Sequence, residues 1–129
     1  MTVGVVIVTH GKSGECLVEE AEFVLGGKLS QVRSVALNQA ESDCGGEIEI
    51  RSAIEAADGG EGVLVLTDLM GASPSNRVTD VLEDYHAVMV TGVNLGMLIR
   101  VCNYQDEALE KVVRKAVDGG RRAVKIFQK

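Results

Sequence analysis

The sequence predicts an α/β protein built on a doubly wound, mainly parallel four-stranded sheet in the order 2-1-3-4, with helices on both faces. Three observations lead there. Strand-like and helix-like segments alternate along all 129 residues. Residues 3–8 and 62–66 are continuous apolar runs, the mark of strands covered on both sides. Trp is absent and only four residues are aromatic, so the core must come from Val, Leu, Ile and Ala. Without an internal repeat or linker, and with Pro74 the sole proline, residues 1–129 are expected to form one domain.

The elements follow in order. Val3–Val8 reads as the first strand, and Ser13–Leu25 as a helix with Leu17, Ala21 and Val24 on one stripe, stopped by Gly26-Gly27. Gln31–Leu37 is a more polar strand, expected nearer an edge. Gly46–Ala57 is a helix with Ile50, Ile54 and Ala57 inward, ended by Gly59-Gly60. Gly62–Leu66 is the third strand. Ser73-Pro74 then opens a helix that turns Val78, Val81 and Leu82 to the core, with a hydroxyl at the cap and Pro at the first helical position. Ala87–Val90 is the fourth strand, and Asn94 caps a short helix reaching Cys102. Asp106–Val117 is strongly amphipathic, Gly119-Gly120 is expected to stop it, and Arg122–Phe127 alternates as a final strand.

A net charge of −6 argues against a nucleic-acid partner and suits a basic protein partner, through steering of the encounter. Cys16, Cys44 and Cys102 are odd in number, lack metal-ligand spacing and are expected to be reduced, buried thiols. The N-terminus is apolar only to Val8, has no basic flank or cleavage site, and no apolar run approaches the ~20 residues that a membrane helix needs. A cytoplasmic protein without membrane insertion is the expectation.

In a doubly wound sheet the site lies beyond the carboxyl ends of the strands. Three loops there hold the unusual residues: Thr9-His10-Gly11, then Asp68-Leu-Met-Gly71-Ala72-Ser73-Pro74, then Thr91-Gly92-Val93-Asn94. A histidine near a strand end is more often structural than chemical, so the surroundings must decide. An imidazole can attack phosphorus through one ring nitrogen if the other is held as N–H, and a carboxylate is the natural holder. The first and third strands are expected to be neighbours, which brings Asp68 within reach of His10. Asp68 would accept from Nδ1–H and leave Nε2 as the nucleophile. Gly71, Ala72 and Ser73 lead into a helix N-terminus, whose free N–H groups favour the phosphoryl oxygens. Thr9, Gly11, Thr67 and Asn94 are supporting positions. His86, at the entry of the fourth strand, falls on the opposite edge and is structural.

Gly11-Lys12-Ser13 invites a phosphate-loop reading, which fails because Val6 stands where that motif needs Gly. No G-x-G-x-x-G occurs either. A receiver domain is excluded because Thr9-His10 stands where its acidic cluster would be. The site has no carboxylate cluster for Mg²⁺, and neither metal nor cofactor is expected.

With these three loops the chain resembles the mannose/fructose-type IIA domain of the bacterial phosphoenolpyruvate-dependent sugar phosphotransferase system. The matching residues are Thr9-His10-Gly11, Asp68-x-x-Gly71-x-Ser73-Pro74-x-Asn76 and Gly92-Val93-Asn94-Leu95-x-Met97-Leu98, in order across nearly the whole chain. The resemblance implies that His10, paired with Asp68, takes a phosphoryl group from the phosphocarrier HPr. It then gives the group to a IIB domain, here expected on a separate chain. It also implies a homodimer and an antiparallel fifth strand, matched by Arg122–Phe127, that can be exchanged between subunits. The chain has Ala72 where the family commonly has Gly, and Gly96 where it often has Pro. Two alternatives share the fold and the histidine: the phosphocarrier of a dihydroxyacetone kinase system, and a regulatory module whose phosphorylation state is read by a target.

Overall fold

The sheet comes first because everything else is hung on it. In the computed structural model, which describes residues 2–37, 43–69 and 73–128, with the side chains of 43–45 and 73–77 also outside the description, four parallel strands are paired in the order β2-β1-β3-β4. They are β1 (Gly4–His10), β2 (Val32–Leu37), β3 (Val63–Thr67) and β4 (Ala87–Thr91). The apolar runs of β1 and β3 are the central pair, buried along their length until His10 emerges. The more polar β2 lies at an edge, as its composition implies.

The helices are α1 (Ser13–Leu25), α2 (Asp43–Ala57), α3 (Ser73–Leu82), α4 (Leu95–Asn103) and α5 (Leu109–Arg122). Alternating side chains divide the core into two layers. Val5, Ile7, Leu64 and Leu66 pack under α1, α4 and α5, whereas Val6, Val8, Val63 and Val65 pack under α2 and α3. Ile50, Ile54 and Ala57 of α2 and Val78 and Val81 of α3 are fully buried, as their spacing requires. Gly4 opens β1 where nothing larger fits: a Cβ there would lie 2.3 Å from the Ala57 carbonyl oxygen.

Five expectations need correction. Val24 is 55% exposed rather than part of the α1 core stripe, because Leu17, Val18 and Ala21 already turn that helix toward the sheet. Cys16 is exposed on α1 and Cys102 half-buried, so the two described thiols are not both core residues. The last helix begins three residues late, at Leu109, because Gln105 is buried in the preceding turn and its amide donates to the Val3 and Ser30 carbonyls. It then runs straight through Gly119-Gly120. A Cβ on Gly119 would come within 2.6 Å of the Arg100 Cβ, and one on Gly120 within 2.6 Å of Met97 Cε. That pair of glycines lets α5 lie close against α4 and does not stop the helix. Gly26, by contrast, does stop α1, in the left-handed conformation at φ 82°.

The segment expected as a fifth strand is therefore divided. Arg122 belongs to α5, and residues 124–128 follow without regular structure, with Val124, Ile126 and Phe127 exposed. Among the described residues no strand pairs with the outer edge of β4.

Candidate functional site

The register sets the site. Val8, Thr67 and Thr91 are level across β1, β3 and β4, while β1 continues two residues further, level with Leu37 of β2, to present His10. Asp68 follows β3 directly. Adjacent parallel strands thus bring the two side chains together, as the sequence led us to expect. His10 Nδ1 is 2.9 Å from Asp68 Oδ2, and the His10 backbone N–H donates to the same oxygen at 3.1 Å. One carboxylate oxygen therefore holds both the ring and the main chain of the histidine. With Nδ1 engaged, Nε2 is the ring nitrogen without a hydrogen-bond partner among the described residues. The ring is 46% exposed and the carboxylate 27%.

Burial pushes the Asp68 carboxyl up, but its hydrogen bonds from the His10 side chain and backbone and the imidazolium charge outweigh this, leaving it below the ordinary value. Its other oxygen, Oδ1, is buried without a hydrogen-bond partner among the described residues. Gly71 and Ala72 lie outside the described residues. Ser73 opens α3, and its side chain is likewise outside the description.

The supporting positions hold the loops rather than line the reacting atoms. The buried Thr9 hydroxyl accepts the Gly14 N–H at 2.8 Å and so anchors the first turn of α1, whose cap residue Lys12 makes no side-chain cap. A Cβ on Gly14 would lie 3.0 Å from Thr9 Oγ1 and from Ile7, so this glycine is required for that approach. Gly11 turns the chain at φ 52° and donates its N–H to Leu37. The Thr67 carbonyl accepts the Val93 N–H at 2.9 Å, tying the second loop to the third; its buried hydroxyl has no partner among the described residues. Asn94 caps α4 by accepting the Met97 N–H at 2.8 Å, and its amide donates to the Gly120 carbonyl at 3.1 Å.

Two contributors were not foreseen: Gly14, marked only as a glycine inside a helix, and the Gly120 carbonyl, which brings the end of α5 to the site. His86 lies at the opposite edge of the sheet, exposed before β4 and beside Gly62. Among the described residues no cluster of three or more His, Cys, Asp or Glu is placed to hold a metal ion.

A family model described as the PTS system fructose IIA component (EIIA-man) matches residues 4–117. The chain belongs to this family. It is 34% identical over 134 residues to the PTS system mannose-specific EIIAB component of Escherichia coli (strain K12), covering 99% of this chain. The same figures hold for the protein of that description from Shigella flexneri. The chain spans 40% of the length of these relatives.

Among solved structures, the mannose/sorbose specific IIA subunit from Enterococcus faecalis superposes with a TM-score of 0.89 at 22% identity, covering 100% of this chain and 97% of that one. The PTS IIA protein associated with the fucose utilization operon of Streptococcus pneumoniae gives a TM-score of 0.81 at 25% identity, covering 98% of this chain and 93% of that one. The doubly wound fold of this IIA-family chain is thus shared with IIA proteins throughout its length. Among its described residues no helix is long and apolar enough to cross a membrane.

Proposed function

We propose that this IIA-family chain is a phosphoryl carrier in which His10 Nε2 accepts the group from phospho-HPr and passes it to a histidine of a IIB domain. In the first step the bond from phosphorus to its donor nitrogen breaks as the Nε2–P bond forms. The positive charge that develops on the ring is stabilised by Asp68 through Nδ1–H. Discharge to the IIB histidine reverses the step. Such a transfer asks mainly for an in-line nucleophile and donors for the phosphoryl oxygens. Gly71 and Ala72, which lie outside the described residues, and Ser73, which opens α3, are assigned the second task.

The observation that carries this reading is the 2.9 Å contact of Nδ1 with Asp68 at an exposed strand end. To test it, the chain is incubated with phosphoenolpyruvate, enzyme I and HPr, and followed by intact mass and phosphorus-31 NMR. One acid-labile phosphoryl group, lost in His10→Ala, is expected. A folded protein that stays unmodified overturns the reading.

The same proposal makes the chain part of a cytoplasmic homodimer whose subunits exchange the segment from residue 124 onward. Supporting this are the outer edge of β4, unpaired among the described residues, and the exposed Val124, Ile126 and Phe127. A groove of about 410 Å³ also lies between β4 and α5, lined by Met89, Val90, Thr91, Val113, Val117 and Arg121. Removing residues 124–129 should abolish exchange, seen as a halved assembly mass by light scattering at an ionic strength high enough to screen exposed charge pairs.

A further inference from the structure

The charge of this chain is unevenly placed. Residues 100–129 hold eight of the thirteen Lys and Arg but four of the nineteen Asp and Glu, a net +4 against −10 for residues 1–99. The structure turns that asymmetry into a pattern on one face. α1, α4 and α5 form a single helix layer on one side of the sheet, and α4 packs against both of the others.

The flanks of that layer are opposite in sign. α1 has no Lys or Arg, and its Glu15, Glu19 and Glu20 are exposed without ion-pair partners among the described residues. α5 exposes Lys111 and Arg114, also without partners among the described residues, and Lys115 stands 4.3 Å from the centre of the Tyr104 ring. These cations, with Glu107 and Asp118, line a shallow concavity of about 420 Å³. Arg100 also stands over the Tyr104 ring, 5.1 Å from its centre, and pairs with Asp118. The acidic flank also carries Phe23, at 85% the most exposed apolar side chain among the described helix residues.

We propose that two copies of this chain pack helix layer to helix layer about a twofold axis running along α4, so that α1 of each copy lies on α5 of the other. The direction of the axis follows from the charges. An axis along the helices exchanges the two flanks, which sets acidic on basic twice in one closed, isologous contact. An axis across the helices would set α1 on α1 and α5 on α5, like on like.

The chosen axis keeps both His10 ends on the same side of the pair. It also runs α1 antiparallel to the facing α5, because α1 descends from the His10 edge while α5 climbs back to it, where Asn94 meets Gly120. Phe23, near the far end of α1, then arrives at the level of Lys111 and Tyr104, an aromatic and cationic setting suited to a ring. This surface is separate from the β4 edge, and the inference stands whether or not His10 carries phosphate.

The test is the mass of the full chain in solution, measured by light scattering at low ionic strength, with circular dichroism as the control for folding. Lys111→Glu/Arg114→Glu/Lys115→Glu should halve the assembly mass, whatever tail exchange contributes to it. Glu15→Lys/Glu19→Lys/Glu20→Lys should do the same. Mixing the two variants should restore the mass, since each then offers the flank that the other lacks. Raising ionic strength should halve the mass of the unmutated chain, because short Debye lengths weaken exposed charge pairs. A mass unmoved by salt and by either triple substitution overturns the proposal. So does a mixture of two folded variants that fails to recover the lost mass.

Discussion

Replacing Asp68 separates two things that one carboxylate oxygen does: it orients the His10 ring and it supplies charge. Asp68→Asn keeps an oxygen able to accept from Nδ1–H and from the backbone N–H but removes the charge. The pair is 2.9 Å apart with the ring about half exposed. Opposite charges ~4 Å apart interact by about 4 kcal/mol near a protein surface and about 1 kcal/mol in water. Screening at this exposure leaves about 1–2 kcal/mol. If that charge acts on the developing imidazolium, the rate of phosphoryl acceptance falls about 5–30-fold. Asp68→Ala also loses the hydrogen bond that fixes the tautomer, worth about another 1 kcal/mol, for a total loss of roughly 30–200-fold.

The assay is the initial rate of phosphohistidine formation with phospho-HPr. It is paired with nitrogen-15 NMR of the ring, in which wild type should hold the proton on Nδ1 and Asp68→Ala should release it to Nε2. A phosphoryl group found on Nδ1, or Asp68→Ala within twofold of wild type, refutes the reasoning.

Other predictions rest on packing and titration. Gly4→Ala, whose Cβ would meet the Ala57 carbonyl at 2.3 Å, should destabilise by about 3 kcal/mol or more in urea melts. Gly119→Ala, pressed on the rigid base of the Arg100 side chain, should cost about 1–2 kcal/mol. Gly120→Ala should be nearly neutral, because the Met97 tip can move and Ala gains about 1 kcal/mol of helix propensity.

Because the native Asp68 carboxyl titrates below its ordinary 3.8, the unfolded chain binds the proton more tightly. The resulting stability is complete above the ordinary value and is lost as pH falls through the lowered native one. The gap between wild type and Asp68→Asn should therefore close on acidification from about pH 5 to about pH 2, read from urea midpoints; a constant gap contradicts this. Burial pushes the Cys102 thiol up to about 11, so at pH 8 roughly one in a thousand is thiolate. Peptide mapping after brief iodoacetamide treatment should find the exposed Cys16 alkylated well before Cys102.

What could be read from the sequence divides along physical lines. β1 and β3 were legible because burial on both faces demands unbroken apolar runs, and β2 because an edge tolerates Arg33 and Ser34. The pairing of His10 with Asp68 followed from strand adjacency, which the winding rule supplies without coordinates. Gly119-Gly120 misled because the same residue that ends a helix also permits two helices to touch, and only the neighbouring Arg100 and Met97 distinguish these uses. Thr9 sits at the right loop, yet its hydroxyl turns inward to Gly14, since alternation along β1 points residue 9 to the α1 face and residue 10 away from it. The Asn94 cap was visible from residue type; its second bond, to a carbonyl 26 residues later, was not.

That second bond adds a polar tie between two helices that already pack closely against each other. Asn94 grips the first turn of α4 with its oxygen and the last turn of α5 with its nitrogen, so the two helix ends form one mechanical joint. The joint stands at the loop whose Val93 N–H is tied to the residue just before Asp68. From the exposed residues beyond α5, an unbroken line of main chain and hydrogen bonds therefore reaches, by way of Gly120, Asn94, Val93 and Thr67, the carboxylate that holds the His10 ring.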